Sequence, residues 1–495
     1  MQRALVALAL LLASCAVAPN AATPAPSPVQ TGGSLRVAVA AEITSLDPWA
    51  ADAASLVATR QIFETLVGAD TTTGAIIPGL ASAWHMANDG ATWTFTLRDR
   101  IRFQDGSSLD ASAVVASFEH GQGSRSYAML FDEPSEISRV SAVDSRTVRF
   151  DLRAPFGPFL AHLAAPQTAI AHGGSGTGPF LAKTDALAPD GTLTLERNDA
   201  YWQRNPAGLA LPYLAGLVLR PVRDPASRLA ELRAGRVDVA LELPVAQALA
   251  TRGDPNLVLA LRPYAALASL GIDITATPFD RSEIRRAVAM SLDRSALGSV
   301  YGGTLRPATQ VVPPGSLAFD TSVAEFAPFD AGAAKRMVAE THLALPIAAD
   351  FVYPSAPTAA YPDPQRIAQS LAADLLKIGV VARLRAVDPA AIRSAKATFA
   401  LETTPVGLDP DDVFWPLFGD QDPSNTSLVV GLLRKARAEA DPSKRAELYK
   451  QVSKISRTDV TRVPLLFADR PSAASARIVG YSGESVSFGT VWLRP

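Results

Sequence analysis

The sequence is poor in cysteine, in histidine and in any excess of one charge. It has 1 cysteine and 5 histidines in 495 residues, and 46 lysines and arginines against 48 acidic residues. A single cysteine excludes an internal disulfide framework. The formal net charge of −2, without blocks of like charge, argues against a nucleic-acid partner.

Long hydrophobic runs are also missing. Arg3 is followed by the apolar run Ala4 to Ala13, which is too short to span a bilayer as a helix and is typical of a signal peptide over residues 1–14. Beyond it, no uncharged apolar run approaches the roughly 20 residues that a spanning helix needs. The sequence therefore predicts an exported chain with a soluble body.

The one cysteine, Cys15, follows this run directly. Leu12-Ala13-Ser14-Cys15 resembles the bacterial lipobox, which implies that Cys15 becomes the acylated first residue of the mature protein. Residues 15–33 are rich in proline, alanine, serine and glycine, as expected of a flexible linker behind a lipid anchor. The alternative is an ordinary cleavable signal ending at Ala16-Val17-Ala18, although Pro19 is a poor context for that cleavage.

Periodicity predicts a mixed α/β fold. In "TWTFTL", Trp93, Phe95 and Leu97 alternate with threonines, which indicates a half-buried strand. Asp110 is a candidate N-cap for the helix that follows, and Asp144-Ser145 predicts a turn between two further strands.

The later chain alternates helices and strands. We expect one helix over Ala53 to Val67 and another that starts with a capping box of Asp280 and Glu283. The stripe from Ile367 to Leu375 predicts a helix that ends before Gly379, and Val380 to Leu384 then reads as a strand.

Patterns typical of an enzyme are incomplete. "HGGSGTGP" would need glycine in place of Thr177 to form a nucleophile elbow, and it lacks the lysine of a phosphate-binding loop. The histidines never fall four residues apart, so no local zinc pair is visible. We expect no catalysis, no cofactor and no metal; an exported hydrolase with a spatially assembled triad is the remaining enzyme alternative.

Several ordered motifs together resemble the family 5 extracellular solute-binding proteins of bacterial ABC importers. They are "EITSLDP", "IFETLVGAD", "LASAWHMANDGATWTFTLRDRIRFQDG", "VVASFE", "GTGPF", "LERNDAYW", "RLAELRAGRVDVAL", "TPFDRSEIRRAVAMSLDR", "VVPPGS" and "LDPDD". The resemblance implies a monomer in the periplasm or cell envelope that captures a small molecule or peptide and delivers it to ABC permease subunits. A ligand-binding sensor would use the same architecture and stays open as an alternative.

The resemblance also implies a two-lobed clamp of the type II periplasmic-binding-protein class. Lobe I would contain residues 34–262 and 468–495, with an extra subdomain at about 62–171, and lobe II would contain residues 263–467. The chain would cross between the lobes twice, near Arg262-Pro263 and Ala468-Asp469, so that two backbone strands form a hinge.

Candidate ligand contacts follow from the same resemblance. In lobe I they are Thr44, Ser45, Leu46, Trp49, Arg125 and Tyr127. In lobe II, within "LETTPVGLDPDDVFWPLF", they are Thr403, Thr404, Asp409, Phe414 and Trp415. The alternatives are that Leu46-Asp47-Pro48 only shapes a turn and that Phe414 and Trp415 are core residues; His172 is a weaker candidate beside the expected cleft.

Val406 is the main departure from the family pattern. Peptide-binding relatives carry an aspartate near this position that holds the peptide ammonium group through a charge-assisted bond. Valine cannot compensate that charge. We therefore expect a ligand other than an ordinary free-amine dipeptide, unless Asp409 or Asp412 supplies the carboxylate.

Overall fold

The computed structural model describes residues 29–50, 52–70, 74–131, 137–323, 325–420, 426–483 and 487–494. The predicted signal peptide, Cys15 and most of the predicted linker lie outside these residues. The last part of the linker is described: Val29 packs against the cluster of Leu211, Tyr213 and Trp492, and the Gly32 amide donates to the Tyr213 carbonyl at 2.7 Å.

The first part of the chain combines one strand of the main sheet with a small antiparallel sheet. Its elements are β1 (Ser34–Val39), α1 (Ser55–Ile62), β2 (Val67–Ala69), β3 (Ile76–Pro78), β4 (Ala81–Met86), β5 (Thr92–Leu97), α2 (Ala111–Gly121), α3 (Arg125–Phe131), β6 (Ile137–Ala142), β7 (Thr147–Leu152) and α4 (Phe159–Leu163). Strands β4, β5, β7 and β6 pair in that order. Trp93, Phe95 and Leu97 are buried, and Asp110 accepts the Ala113 amide at 2.9 Å, so both predictions are confirmed.

The middle of the chain completes the amino-terminal half-sheet, in which β8, β9, β10, β1 and β11 are neighbours in that order. Strand β1 runs parallel to β10 and β11. The elements are β8 (Phe180–Leu187), β9 (Leu193–Arg197), β10 (Gly216–Pro221), α5 (Pro225–Arg233), β11 (Val239–Ala240), α6 (Val245–Leu249) and β12 (Leu257–Ile272).

The rest of the chain builds the carboxy-terminal half-sheet, in which β16, β14 and β15 are neighbours, and the helices around it. The elements are α7 (Ser282–Ser291), α8 (Arg294–Ser299), β13 (Leu305–Pro307), α9 (Ala331–Glu340), β14 (Ile347–Pro354), α10 (Pro364–Lys377), β15 (Val380–Val387), β16 (Phe399–Pro405), α11 (Asp411–Phe418), α12 (Ser427–Ala438), α13 (Pro442–Asp459), β17 (Arg462–Ser475), β18 (Ile478–Val479) and β19 (Trp492–Leu493).

Strands β12 and β17 connect the two half-sheets. They pair antiparallel along most of their length, and their register shifts between Arg262 and Ala266. On one side of the shift β17 pairs with β11, and on the other β12 pairs with β16 from Ala266 to Ile272. Among the described strands, the sheet is therefore continuous through these two alone, and their pairing is interrupted between its halves.

Two local predictions are wrong. The first helix ends at Ile62, because Phe63 is extended and Glu64 forms a β-bridge with Ile170. Helix α7 has Arg281 at its N-cap without a side-chain bond, so Asp280 lies one position too early to form the predicted capping box with Glu283. The buried stripe of α10 and the strand that follows it are confirmed.

The described helices contain no segment that is long and apolar enough to cross a bilayer.

Candidate functional site

The segment from Phe156 to His162, which runs into α4, contacts the predicted ligand loop at α11 and also contacts α12. The Gly157 amide donates to the Arg437 carbonyl at 2.7 Å, and the Arg437 guanidinium lies 5.3 Å from the centre of the Phe156 ring. His162 Nε2 is 3.7 Å from Asp412 Oδ1. We call this set of contacts the cross-contact.

Asp409 is engaged within the protein. Its two carboxylate oxygens accept bonds from Arg445 at 2.9 and 2.6 Å, and Oδ1 also accepts the Asp411 amide at 2.9 Å. Both members of the pair are buried. Burial lowers the pKa of Arg445, but its charge and hydrogen bonds with Asp409 outweigh burial and leave the pKa raised. In this conformation Asp409 stabilises the loop.

Asp411 begins α11 and is also buried. Its Oδ2 lies 3.0 Å from Arg437 Nε, and Tyr449 donates to its Oδ1 at 3.4 Å. Burial raises the pKa of Asp411 to about 6, although the positive charge of Arg437 opposes the shift. The loop therefore holds a carboxylate that gains a proton in mildly acidic solution.

His162 joins the cross-contact from α4. Its Nδ1 donates to the Leu130 carbonyl at 2.6 Å, which leaves Nε2 for Asp412. Burial alone would lower the pKa of His162, but the Asp412 carboxylate more than compensates and the pKa is raised. Protonation of His162 therefore strengthens the attraction between α4 and α11.

The two predicted aromatic contacts differ in their surroundings. Phe414 is fully buried and stacks on Tyr449 at 4.9 Å between ring centres, so it is a core residue. Trp415 is partly exposed, and Arg437 lies 4.2 Å from its ring centre. A cation over the ring face at this distance is attractive. Arg437 therefore contacts both Trp415 and Phe156.

Thr403 and Thr404 are neighbours in β16 and point to opposite faces of the sheet. Thr404 is fully buried and its hydroxyl has no hydrogen-bond partner within the described residues. Thr403 is partly exposed, and its hydroxyl lies 3.1 Å from that of Thr358. The strand geometry thus separates two residues that the sequence suggested as one group.

The loop after β1 is held by hydrogen bonds at the start of α1. The Ser55 hydroxyl accepts the amides of Thr44 and Ser45 at 3.0 and 3.2 Å. The Thr44 hydroxyl donates to Asp52 at 3.0 Å, and the Ser55 backbone amide lowers the pKa of Asp52. Thr44 is exposed, and Leu46 packs partly against the core beneath the loop.

The structure brings two other candidates together. Trp49 is almost fully buried, lies 5.8 Å from Tyr127 between ring centres, and packs edge-on against Phe118. Its Nε1 is buried without a partner in the described part of the chain. Arg125 is exposed at the start of α3, two positions before Tyr127.

The glycine-rich motif has a packing role. A Cβ on Gly176 would lie 1.9 Å from the Ile62 carbonyl oxygen, so only glycine fits beside the end of α1. Thr177 donates to the buried carboxylate of Glu64 at 2.8 Å. Tyr201 and Trp202 donate to the same carboxylate, each at 2.8 Å.

His172 is exposed and lies beside Phe103 at 5.4 Å between ring centres.

Sequence reasoning missed His162, Arg437 and Arg445. Each belongs to a segment without a recognisable motif, and each acquires its partner only through the tertiary fold. A groove of about 680 Å³ between α12 and α13 is lined by Lys435, Glu439 and Lys444 among others, and none of its lining residues belongs to the loop after β1. Among the described residues, no cluster of side chains is arranged to hold a metal ion.

Comparison with known proteins gives concordant results. The family profile described as bacterial extracellular solute-binding proteins, family 5 Middle, matches residues 75–425. The glutathione-binding protein GsiB of Salmonella paratyphi A is 27% identical over 494 residues, covering 90% of this chain and 91% of that protein.

Solved structures share the fold. HbpA2 from Haemophilus parasuis superposes with a TM-score of 0.83 at 24% identity, covering 94% of this chain and 100% of that chain. DppA from Helicobacter pylori, a periplasmic binding protein in complex with the peptide STSA, gives a TM-score of 0.71 at 22% identity, covering 94% and 99%. The predicted α/β fold of the two-lobed periplasmic-binding-protein type is confirmed, and the chain belongs to the bacterial extracellular solute-binding proteins of family 5.

Proposed function

We propose that this chain captures a small peptide-like solute outside the inner membrane and delivers it to the permease of an ABC importer. The observation that carries the proposal is the arrangement of the sheet, whose halves are connected, among the strands that the structure describes, through β12 and β17. A register shift between Arg262 and Ala266 interrupts their pairing. Two strands with interrupted pairing suit a hinge, and hinge closure around a ligand is typical of periplasmic binding proteins.

A ligand drives closure only if it binds the closed form more strongly than the open form. It must therefore contact both sides of the hinge. We propose Thr44, Ser45, Arg125 and Tyr127 on the first side, where Trp49 is buried in the core beneath them. On the second side we propose Thr403 and Trp415, which are partly exposed, whereas Phe414 and Asp409 hold the loop from within. We place the lobes at residues 34–262 with 468–495 and at 263–467.

The charges of the loop limit the class of solute that it suits. Val406 packs partly against the core, and its neighbour Asp409 is neutralised by Arg445. Asp412 faces His162, which is positively charged when protonated. The loop therefore offers a ligand ammonium group less negative charge than its three aspartates suggest. An acidic or amine-blocked peptide-like compound fits better than a free-amine dipeptide. Glutathione, which the relative GsiB binds by name, is a suitable first probe of the acidic class; it carries two carboxylates and one ammonium group, so its N-acetylated form is the amine-blocked probe to set beside it.

A thermal-shift screen tests this function. Ligand binding to the folded state raises the melting temperature by mass action. We expect glutathione or another acidic peptide-like compound to give a larger rise than free-amine dipeptides, with metal chelates and oligosaccharides as further arms. A largest shift from a free-amine dipeptide would contradict the argument from Val406, and no shift from any compound would contradict the capture function.

Import can be separated from sensing in the cell of origin. If the chain serves an importer, deleting its gene abolishes uptake of the labelled solute identified in the screen. If it serves a sensor, the deletion leaves uptake unchanged and removes a transcriptional or behavioural response to that solute. We propose no catalytic step for the chain, so the recovered solute is expected to be chemically unchanged.

We further propose that Cys15 carries a lipid anchor that holds a monomeric protein at the cell envelope. Several acyl chains give durable membrane attachment, at about 0.8 kcal/mol for each buried methylene. Labelled palmitate is expected to be incorporated into the wild type and not into Cys15→Ser. Equal incorporation into both proteins would contradict the anchor.

A further inference from the structure

The cross-contact joins a segment of the lobe that we place at residues 34–262 to α11 and α12 of the lobe that we place at residues 263–467. One part of it does not titrate near neutral pH. The Gly157 amide donates to the Arg437 carbonyl at 2.7 Å, and the Arg437 guanidinium lies 5.3 Å from the centre of the Phe156 ring. Arginine stays charged throughout this range. This part of the contact is therefore insensitive to pH near neutrality.

The other part of the cross-contact gains or loses a charge near neutral pH. His162 Nε2 lies 3.7 Å from Asp412 Oδ1, and the two side chains are 10% and 31% exposed. Histidine has an ordinary pKa of about 6.5, which lies close to this range. Because the pair is mostly shielded from water, salt screens the attraction between imidazolium and carboxylate less than at an open surface. The charge of His162 therefore changes the strength of the contact.

The groups that surround the His162 ring from its own lobe carry no charge. The Leu130 carbonyl of α3 accepts from Nδ1 at 2.6 Å. The rings of Phe131 and Phe156 lie at 6.3 and 5.1 Å from the imidazole between ring centres. Strand β2, which also packs against α4, has no titratable side chain.

The charged groups that act on His162 belong to α11. Burial lowers the pKa of His162, but the carboxylates of Asp412 and, more weakly, Asp411 outweigh burial and leave the pKa raised. Asp411 also faces Arg437 of α12 at 3.0 Å, and burial raises the pKa of Asp411 to about 6, so Asp411 is ionised at about pH 7 and above.

Separation of the two segments removes both carboxylates from His162. Its pKa then falls from the raised value, so the form in contact binds more protons than the separated form. By linkage, contact is favoured as the pH falls through the raised pKa of His162 and is weakened as the pH rises through it.

We propose that the cross-contact is a proton-dependent latch between the lobes, in which protonated His162 attracts Asp412 and raises the population of the closed form. The inference rests on the proposed lobes and capture function, and it adds the acidity outside the inner membrane as a regulator. The ligand-free protein is an equilibrium of open and closed forms, and a solute shifts it further toward closure. Because a more populated closed form gives a higher apparent affinity, the solute is retained more strongly at about pH 7 than at about pH 9.

Hydrogen exchange of the ligand-free protein tests the latch, because the Gly157 amide donates across the contact. Pro155 and Pro158 have no amide, so a peptide around Gly157 carries few competing signals. Exchange is followed by quenched flow and mass spectrometry at about pH 7 and about pH 9, and each variant is compared with the wild type at the same pH. This comparison removes the intrinsic pH dependence of exchange.

The variants remove either partner of the titratable pair. We expect the Gly157 amide to be protected roughly threefold or more better in the wild type than in His162→Gln or Asp412→Asn at about pH 7, and by a smaller factor at about pH 9. His120→Gln is the matched control, because His120 faces Asp47 at 2.7 Å within the first lobe. Its protection at Gly157 should equal that of the wild type at both pH values.

Small-angle scattering of the ligand-free wild type is the second readout and needs no variant. The radius of gyration should rise between about pH 7 and about pH 9 as the closed form is lost. A radius that does not change, or a protection ratio between wild type and His162→Gln that is the same at both pH values, would overturn the latch and leave the capture function standing. If the latch responds to pH but no solute of the wider screen binds, the capture function alone fails.

Discussion

At the scale of single residues, the ligand loop is organised by buried charge. Asp409 and Asp411 are separated by one proline, and each faces its own arginine, Arg445 and Arg437. Removing one partner of a buried pair leaves the other charge without compensation, which costs more than the pair itself contributes. The loop geometry therefore depends on both pairs.

The first prediction concerns Asp409→Asn. The substitution keeps the shape but removes the charge that faces Arg445, so we expect a loss of about 3 to 5 kcal/mol in the free energy of unfolding. Chemical denaturation measures it. The control is Glu42→Gln, which breaks the exposed pair with Arg223 and should cost less than about 1 kcal/mol. Equal small losses in both variants would contradict a structural role for Asp409.

The second prediction concerns pH and His162. The folded-state pKa of His162 is raised, so its stabilising contribution is present below its ordinary pKa of about 6.5 and is lost as the pH rises through the folded value. The difference in melting temperature between wild type and His162→Gln should be larger at about pH 6 than at about pH 9. His85→Gln, at an exposed position on β4, is the control. A difference that is constant with pH would rule out the charged contact with Asp412.

At the scale of elements, the cross-contact between α4 and the α12 to α13 connection requires close approach of two backbones. A Cβ on Gly157 would lie 2.5 Å from the Glu439 carbonyl oxygen and 2.6 Å from Arg445 Nε. Any side chain there must push the two segments apart. Glycine at position 157 is therefore required for this close approach of the two backbones.

The third prediction follows from this geometry. Gly157→Ala should destabilise the protein by about 1 to 3 kcal/mol, because the added methyl group overpacks the contact. Gly431→Ala is the matched control: nothing lies within 4 Å of its Cβ position in the interior of α12, so alanine should stabilise by up to about 1 kcal/mol. Urea denaturation of both variants measures the difference, and a neutral Gly157→Ala would mean that the segments separate freely.

Sequence patterns predicted helices and strands correctly where the buried residues recur with a single helical or extended period. The alternation in β5 and the stripe of α10 were sufficient, because each buries one face against one core. The helix predicted to Val67 was too long, because Phe63 and Leu66 are buried in two different cores after the chain has become extended. Apolar spacing alone cannot distinguish these cases.

The candidate site was less predictable for a physical reason. Asp409 is visible in a motif, but Arg445 reaches it from α13, and the meeting of Arg262 with Arg470 depends on strand pairing across about two hundred positions of sequence. No local pattern encodes such contacts. The family resemblance identified the ligand loop, but only the structure identifies the residues that pair with its aspartates.

At the scale of the whole molecule, two half-sheets share two strands, and the pairing of these strands is interrupted between Arg262 and Ala266. Under the proposed capture function, the solute contacts both sides of this hinge, and the angle between the two sides changes on closure. The cross-contact between Gly157 and Arg437 joins segments that we assign to different lobes.

The most direct test of the account is small-angle X-ray scattering of the mature protein with and without the solute that gives the largest thermal shift. Hinge closure predicts that saturating solute lowers the radius of gyration. A scattering profile that stays the same at saturation, with binding verified by calorimetry in the same sample, would contradict it.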